Sequence, residues 1–332
     1  MNVAVPKEIA PGERRVAVTP DVAVRLVKSK NAVAVQAGAG VSAGFSDKAY
    51  VDAGATISPD AAALYGSADF VLKVARPQDD EIALLRSGSV LAALLAPLTA
   101  PKTCALLAAR GVTALAMELI PRISRAQSMD ALSSQATVSG YKAAIYAADT
   151  LPKFFPMLMT AAGTIAPSKV LVLGAGVAGL QAIATARRLG AVVTGYDTRP
   201  VVKEQVESLG ASFVAPPITG EGTGGYAREL TADEQRQNRE ALGRYVAEND
   251  VVITTALVPG RRAPILITDD MLAAMRAGSV VVDLAAEAGG NTEGAQPGST
   301  TVLHGVSIVA PLNVPSSMPY HASQLYARNL WA

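Results

Sequence analysis

The sequence predicts an α/β protein built from two doubly wound parallel-sheet domains, and three observations carry that prediction. Short apolar, β-branched runs alternate with helical stretches through the first third of the chain. From Lys169 to Asp197 an apolar strand, a glycine turn, a helix, a second strand and an acidic residue follow one another. At 332 residues the chain is long enough for two ordinary domains, and this second unit begins only near its middle.

In the first segment NVAVP reads as a strand, followed by a helix from about Asp21 to Lys30, strand AVAVQA and a helix near Asp47 to Ala53. Strand FVLKV, a helix near Asp79 to Arg86, strand SVLAALL, a helix near Lys102 to Arg110 and strand VTALAME complete it. Thr19-Pro20-Asp21 and Thr99-Ala100-Pro101 are helix starts, with a hydroxyl or carboxylate near the cap and proline in the first turn. From about Ala131 to Met159 the pattern is helical, and that helix is expected to bridge the two domains.

After Asp197 come a helix near Val201 to Leu209, strand SFVA, an irregular piece, a polar helix to Glu248, strand DVVITTALV, helix TDDMLAAMRA and strand SVVVDLA. A turn-rich stretch, short strands TTVLH and SIVA, and a helix from Ser316 to Trp331 that returns to the first domain close the chain. The expected boundaries are 1–130 with 312–332 for one domain and 131–311 for the other. No internal repeat of 20 to 50 residues is visible.

The glycines at 174–179 have separate tasks. Gly174 permits the tight turn, Gly176 lets backbone approach a pyrophosphate, and Gly179 lets helix and strand pack closely, while the helix N-terminus aims its N–H groups at the anion. Asp197, about 20 residues beyond the turn, fits a carboxylate that accepts from both adenosine ribose hydroxyls. Its charge opposes the 2′-phosphate of NADP, so NAD(H) is the expected cofactor. Arg199 reads as a solvated arginine or a cover over the adenine, although an arginine there is also able to receive a 2′-phosphate.

Composition narrows the partners. The chain carries 29 basic and 28 acidic residues, with no basic run, so nucleic acid is not expected. A single cysteine, Cys104, allows no internal disulfide and fits a reducing compartment. MNVAVPKE lacks the features of a secretion signal, and cytoplasmic placement is expected. The most apolar stretch, Val90 to Met117, is interrupted by Pro97, Pro101, Lys102 and Arg110 and falls short of the ~18 apolar residues of a membrane span. The histidines, His304 and His321, have no ligand-spaced companions, so no metal is expected.

Two stretches are richer than a scaffold requires. Pro216 to Leu230 is long, polar and glycine-rich, with Tyr226 flanked by Gly224 and Gly225, and reads as a lid over bound nucleotide. Met117 to Ser134, MELIPRISRAQSMDALSS, is dense in groups that hydrogen-bond a flat amide-bearing ring. This second stretch closely resembles the nicotinamide-side loop of domain I, the NAD(H)-binding component of proton-translocating nicotinamide nucleotide transhydrogenases. The resemblance runs end to end: VPKE with PGERRVAVTP, KVARP, GAGVAGLQAIATARRLGA, KEQVESLGA, GGYA, ITTALVPG, ITDDML, GSVVVDLAAEAGGN and ASQLYARNL.

The resemblance implies two Rossmann-like domains with a cofactor cleft between them, NAD(H) on this chain, and NADP(H) on a partner subunit. It implies direct hydride transfer between the nucleotides, coupled to proton translocation by a membrane subunit, and a homodimer held peripherally at the inner membrane through its partners. It implies that Gln127 steers the two nicotinamide rings and that Arg122, Asp130 and Ser133 hold the NAD(H) ring, with Ile123, Ser124, Ser128 and Met129 in the same binding stretch. It further implies nucleotide contacts from Gly174, Ala175, Gly176, Val177 and Gly179, from Asp197, Thr198 and Arg199, from Gly225 and Tyr226 on the loop, and from Leu257. Hydride transfer needs approach and orientation more than a nucleophile or base.

There are departures. The chain ends at Leu330-Trp331-Ala332, short of the family's membrane and NADP domains, which resembles the split-subunit form or else a fragment. The loop segment is a few residues shorter than usual, and Leu312 and Ser317 stand where threonine and a basic residue are common. The chain also resembles alanine dehydrogenases, with Arg15 and Lys73 where that family binds pyruvate and Glu287 where it has a catalytic aspartate. Its catalytic histidine is replaced by Ala96, so Arg15 and Lys73 are read as ion-pair partners. A non-catalytic NAD-binding module is the third reading.

Overall fold

A computed structural model describes residues 1–220, 230–257 and 260–332. The chain divides into two compact units, Met1–Gln135 with Pro315–Ala332, and Ala136–Val314. In the first unit β1 (Asn2–Val5), α1 (Pro20–Lys28), β2 (Ala32–Gln36), α2 (Asp47–Asp52), β3 (Thr56–Ser58), α3 (Ala61–Ser67), β4 (Phe70–Leu72), α4 (Asp79–Leu84), β5 (Val90–Ala93), α5 (Pro101–Ala109) and β6 (Thr113–Ala116) alternate. They form an all-parallel sheet in the order β3-β2-β1-β4-β5-β6. Buried valines on successive strand positions and a closing helix, Pro319–Trp331, cover one face. Leu64, Ile82, Leu85, Leu91 and Leu107 fill the other.

The sequence reading passed over β3 and α3. Thr56–Ser58 is only three residues long, and Ala61–Ser67 is too short for helical periodicity to show. Asp60 nevertheless caps α3, its side chain accepting from the Ala62 N–H at 2.8 Å.

The second unit runs through α6 (Ala131–Thr150), β7 (Leu158–Thr160), β8 (Gly163–Ile165), β9 (Lys169–Leu173), α7 (Val177–Arg188), β10 (Val192–Tyr196), α8 (Lys203–Ser208), β11 (Ser212–Val214), α9 (Ala232–Glu248), β12 (Val251–Thr254), α10 (Asp269–Ala274), β13 (Val280–Asp283), β14 (Ser299–Leu303) and β15 (Val306–Ala310). The closing helix is α11. Among the described residues the sheet order is β11-β10-β9-β12-β13-β15-β14, parallel except for β14. The order reverses between β9 and β12, where open sheets of this class bind ligands beyond the strand carboxyl ends.

Helix α6 stops at Thr150, so the helical pattern expected to Met159 is overestimated. Pro152 and Pro156 follow the helix end, and the chain then forms the β7–β8 hairpin instead. A segment also recurs between the units, DDEIALLRSGSV and DDMLAAMRAGSV. In each copy a left-handed glycine joins helix to strand, Gly88 at φ 82° and Gly278 at φ 86°. Each donates its N–H over 2.8 Å to a glycine carbonyl before the neighbouring strand, Gly111 and Gly305 respectively.

The first unit buries ions as well as apolar groups. Lys73 is fully buried, its Nζ 2.7 Å from Glu81 Oε1 and 3.2 Å from Glu8 Oε2, and the Tyr65 hydroxyl donates to the same Glu81 oxygen at 2.7 Å. Glu8 Oε1 accepts from the Val74 N–H, but its Oε2 makes no hydrogen bond. Burial pushes the Glu8 carboxyl above its ordinary range, more than the opposing Lys73 charge lowers it. Glu8 therefore holds its proton more strongly in the folded chain than in the unfolded one, and that stabilisation is lost as pH rises through its raised pKa. Urea unfolding measured across this range should show stability falling with pH, and Glu8→Gln should flatten the fall.

Candidate dinucleotide site

The fingerprint turn is built from backbone contacts that side chains would prevent. A Cβ on Gly179 would stand 1.8 Å from the Gly174 carbonyl oxygen, and Gly174 itself has φ +95°. Thr255, just beyond β12, closes the turn from the other side. Its Oγ1 lies 3.0 Å from Gly174 O and 3.2 Å from Leu173 O and donates to this pair. A Cβ on Gly176 would meet nothing within 4 Å, which leaves that backbone open to a pyrophosphate. Gly176 caps α7 without a side-chain acceptor, so the first helical N–H groups remain available to an anion. These features suit a dinucleotide.

Asp197 ends β10 almost fully buried. It accepts from the Ala175 N–H at 2.7 Å, tying the acidic strand end to the glycine turn. Arg199 is paired with it rather than solvated: its backbone N–H, Nε and Nη2 reach the carboxylate at 2.8, 2.9 and 2.8 Å. The Thr198 carbonyl accepts from Gly220 N–H at 2.8 Å, and Val177 and Leu257 are exposed. Gly225 and Tyr226 lie outside the described residues.

Several residues that shape this end of the sheet were not singled out in the sequence. Asn291 is fully buried; its Oδ1 accepts from Ala256 N–H at 3.1 Å, and its Nδ2 donates to the carbonyls of Ala256 and Pro264 at 3.0 and 2.8 Å. Asp283, also fully buried, accepts from Thr254 Oγ1 and from the N–H groups of Ala285, Asn291 and Thr292. A carboxylate inside the apolar run VVVDLA was the one signal available.

In the first unit, the resemblance stretch forms a 3-10 helix, Ser124–Met129, after Pro121 and before α6. Arg122, Ile123, Ser124, Gln127 and Ser128 are exposed, while Met129, Asp130 and Ser133 are half-buried. Asp130 caps α6, accepting from Ser133 N–H at 2.9 Å and Ser133 Oγ at 2.6 Å. Arg122 Nε lies 3.8 Å from Asp130 Oδ2, a looser pair than the sequence suggested. Asn329 of α11 donates to the Ser128 carbonyl at 2.8 Å, which anchors a stretch whose own buried apolar contact is Ala126.

Glu287 accepts from the Asn313 N–H in the second unit. Ala96 has φ +51°, with its N–H donated to Glu118. Arg15, like Lys73, is buried and ion-paired, its Nη2 2.7 Å from Glu13. His304 contacts Asp269, and the His321 ring lies edge-on to Tyr320. Among the described residues no group of three or more His, Cys, Asp or Glu side chains is placed to hold a metal ion, and no helix is long and apolar enough to cross a membrane.

The turn, the uncapped helix start and the acidic strand end define a protein of the Rossmann-type dinucleotide-binding class. The chain belongs to the alanine dehydrogenase/PNT family, whose N-terminal domain matches residues 4–139 and whose C-terminal domain matches residues 143–332. It is 50% identical over 339 residues to the first of the separate pieces of NAD(P) transhydrogenase subunit alpha in Rhodospirillum rubrum, covering 99% of this chain and 88% of that one. The crystal structure of transhydrogenase from Sinorhizobium meliloti superposes with a TM-score of 0.91 at 47% identity, covering 100% of this chain and 92% of that chain. Alanine dehydrogenase of Halomonas elongata is 35% identical over 339 residues, covering 98% and 84%.

The two later fingerprint glycines should separate folding from binding. Gly179→Ala should destabilise the chain by roughly 2–4 kcal/mol, since backbone must move to admit the methyl group. Gly176→Ala should leave the melting temperature nearly unchanged yet weaken NADH binding about ten-fold or more by blocking backbone approach. Thermal unfolding and NADH fluorescence titration distinguish the two, and equal behaviour would contradict the assignment.

Proposed function

We propose that this chain is the NAD(H)-binding component of a proton-translocating transhydrogenase. The observation that carries the reading is 50% identity across 99% of the chain to a piece of a transhydrogenase alpha subunit, against 35% to an alanine dehydrogenase. Bound NADH supplies a hydride, which passes to NADP⁺ held on a partner subunit, and a membrane subunit couples the exchange to proton movement. The chain sits on the cytoplasmic side, peripheral to the inner membrane through those partners.

The residues divide the work by type. Ala175, Val177 and the Gly174-Gly176-Gly179 turn receive the pyrophosphate, and Asp197 with Thr198 and Arg199 receives the adenosine end. Arg122, Asp130 and Ser133 orient the nicotinamide carboxamide; Ile123, Ser124, Ser128 and Met129 shape that side, and Leu257, Gly225 and Tyr226 complete the enclosure. Gln127, exposed and uncharged, positions the ring against its partner without transferring a proton. Asp130 is held by Ser133, so its carboxylate is oriented before any ligand arrives.

Alanine oxidation is disfavoured by the same chemistry. It needs a proton-transfer group beside the substrate carbon, and Ala96 supplies none. Arg15 and Lys73 are committed to buried carboxylates, Glu13 for the first and Glu8 and Glu81 for the second. The β7–β8 hairpin supports a homodimer: Met157, Met159 and Ile165 are exposed on it, beside exposed Phe154, an apolar arm suited to a second copy.

Mixed with an isolated NADP(H)-binding subunit, the chain should oxidise NADH while an NADP analogue is reduced. With alanine and NAD⁺ it should give no reaction. Gln127→Asn should slow hydride transfer by about ten-fold or more while changing NADH affinity by less than about three-fold. Equal losses in rate and affinity would remove the positioning role.

A further inference from the structure

Asp197 has a side-chain exposure of only 6%, and four donors converge on it: Ala175 N–H, Arg199 N–H, Arg199 Nε and Arg199 Nη2, all within 2.9 Å. An ionised carboxylate offers about four acceptor positions, so Arg199 alone accounts for most of its capacity. The guanidinium is itself only 15% exposed, and its Nε and Nη2 edge lies on the two carboxylate oxygens. That bidentate edge is the one an arginine uses to receive a phosphate. The positive charge nearest the adenosine end is thus spent internally.

We propose that Asp197 excludes NADP(H) from this chain by two effects: its own charge, and its hold on Arg199, which withholds the one guanidinium placed to receive a 2′-phosphate. The inference rests on the NAD(H) site proposed above and makes Arg199 a residue that determines cofactor specificity. A ribose 2′-hydroxyl brings no charge and needs only an acceptor, so it competes with the guanidinium for the carboxylate. A 2′-phosphate meets an anion and finds the cation already neutralised. Removing the carboxylate while keeping Arg199 should therefore uncover a phosphate-binding position, not merely relieve repulsion.

Calorimetric titration of the full chain with 5′-AMP and with adenosine 2′,5′-bisphosphate isolates this end of the site, and NADH fluorescence reports the whole. Asp197→Ser, which keeps an oxygen for the Ala175 N–H, should bind the bisphosphate about ten-fold or more tightly than the unsubstituted chain. The double variant Asp197→Ser with Arg199→Ala should lose that gain. No gain in the single variant, or a gain kept in the double one, overturns the inference; Asp197→Asn serves the same comparison if the serine variant does not fold. If the unsubstituted chain binds neither NADH nor 5′-AMP, the NAD(H) reading itself falls and takes this one with it. If it binds both while the single variant gains nothing, only the specificity role is lost.

Discussion

A backbone contact that excludes any side chain is the constraint from which the second unit is organised. Gly179 lies so close to the Gly174 carbonyl that a Cβ would interpenetrate it. That approach brings the first turn of α7 against the end of β9, and Thr255 holds the same carbonyl from β12. Asp197 then fastens the turn to β10 through the Ala175 N–H. Three parallel strands are thus fixed to one glycine turn at the point where strand order reverses. The arrangement uses hydrogen bonds among groups that would otherwise be buried without partners, which is why it tolerates little variation.

Outside this turn, the polar groups act mostly through backbone. Asn291 spends its whole side chain on the peptide groups of Ala256 and Pro264, and Asp283 gathers Asn291 and Thr254. Asn238 does the same for Ile218, accepting from its N–H and donating to its carbonyl at 3.0 and 2.9 Å. Loops leaving β11 and β12 therefore start from positions held by buried amides rather than by apolar packing. A directional anchor of this kind fixes a peptide plane, which a leucine in the same space would not.

The sequence shows the long elements and the contacts that are local in it. Alternating runs announced most of both sheets, and GAGVAG with Asp197 announced the turn, because strand, glycines and carboxylate lie within thirty residues. Thr56–Ser58 and the Leu158–Ile165 hairpin escaped notice, since three-residue strands carry no usable periodicity and prolines around the hairpin break the helical pattern only weakly. Asn291 and Asn329 were invisible for a different reason. Their partners lie 35 and 201 residues away, and an asparagine in isolation does not reveal which peptide it will hold. Arg199 was visible but misjudged, because a charged residue two positions from a carboxylate reads as solvated unless the burial of that carboxylate is known.

The two units share the strand order 3-2-1-4-5 and differ in what joins the first strand to its helix. In the second unit residues 174–176 make that connection, and the helix start is presented directly beyond the sheet. In the first, residues 6–19 intervene between β1 and α1, and they carry Glu8, Glu13 and Arg15 into the interior. Those charges neutralise one another and Lys73 within the fold. A helix N-terminus reached through so long a connector is no longer aligned with the strand end, and a site whose ions are already paired has little charge left to offer a ligand. The same topology thus yields a nucleotide cradle in one unit and a closed ionic core in the other, and the length of a single connection separates them.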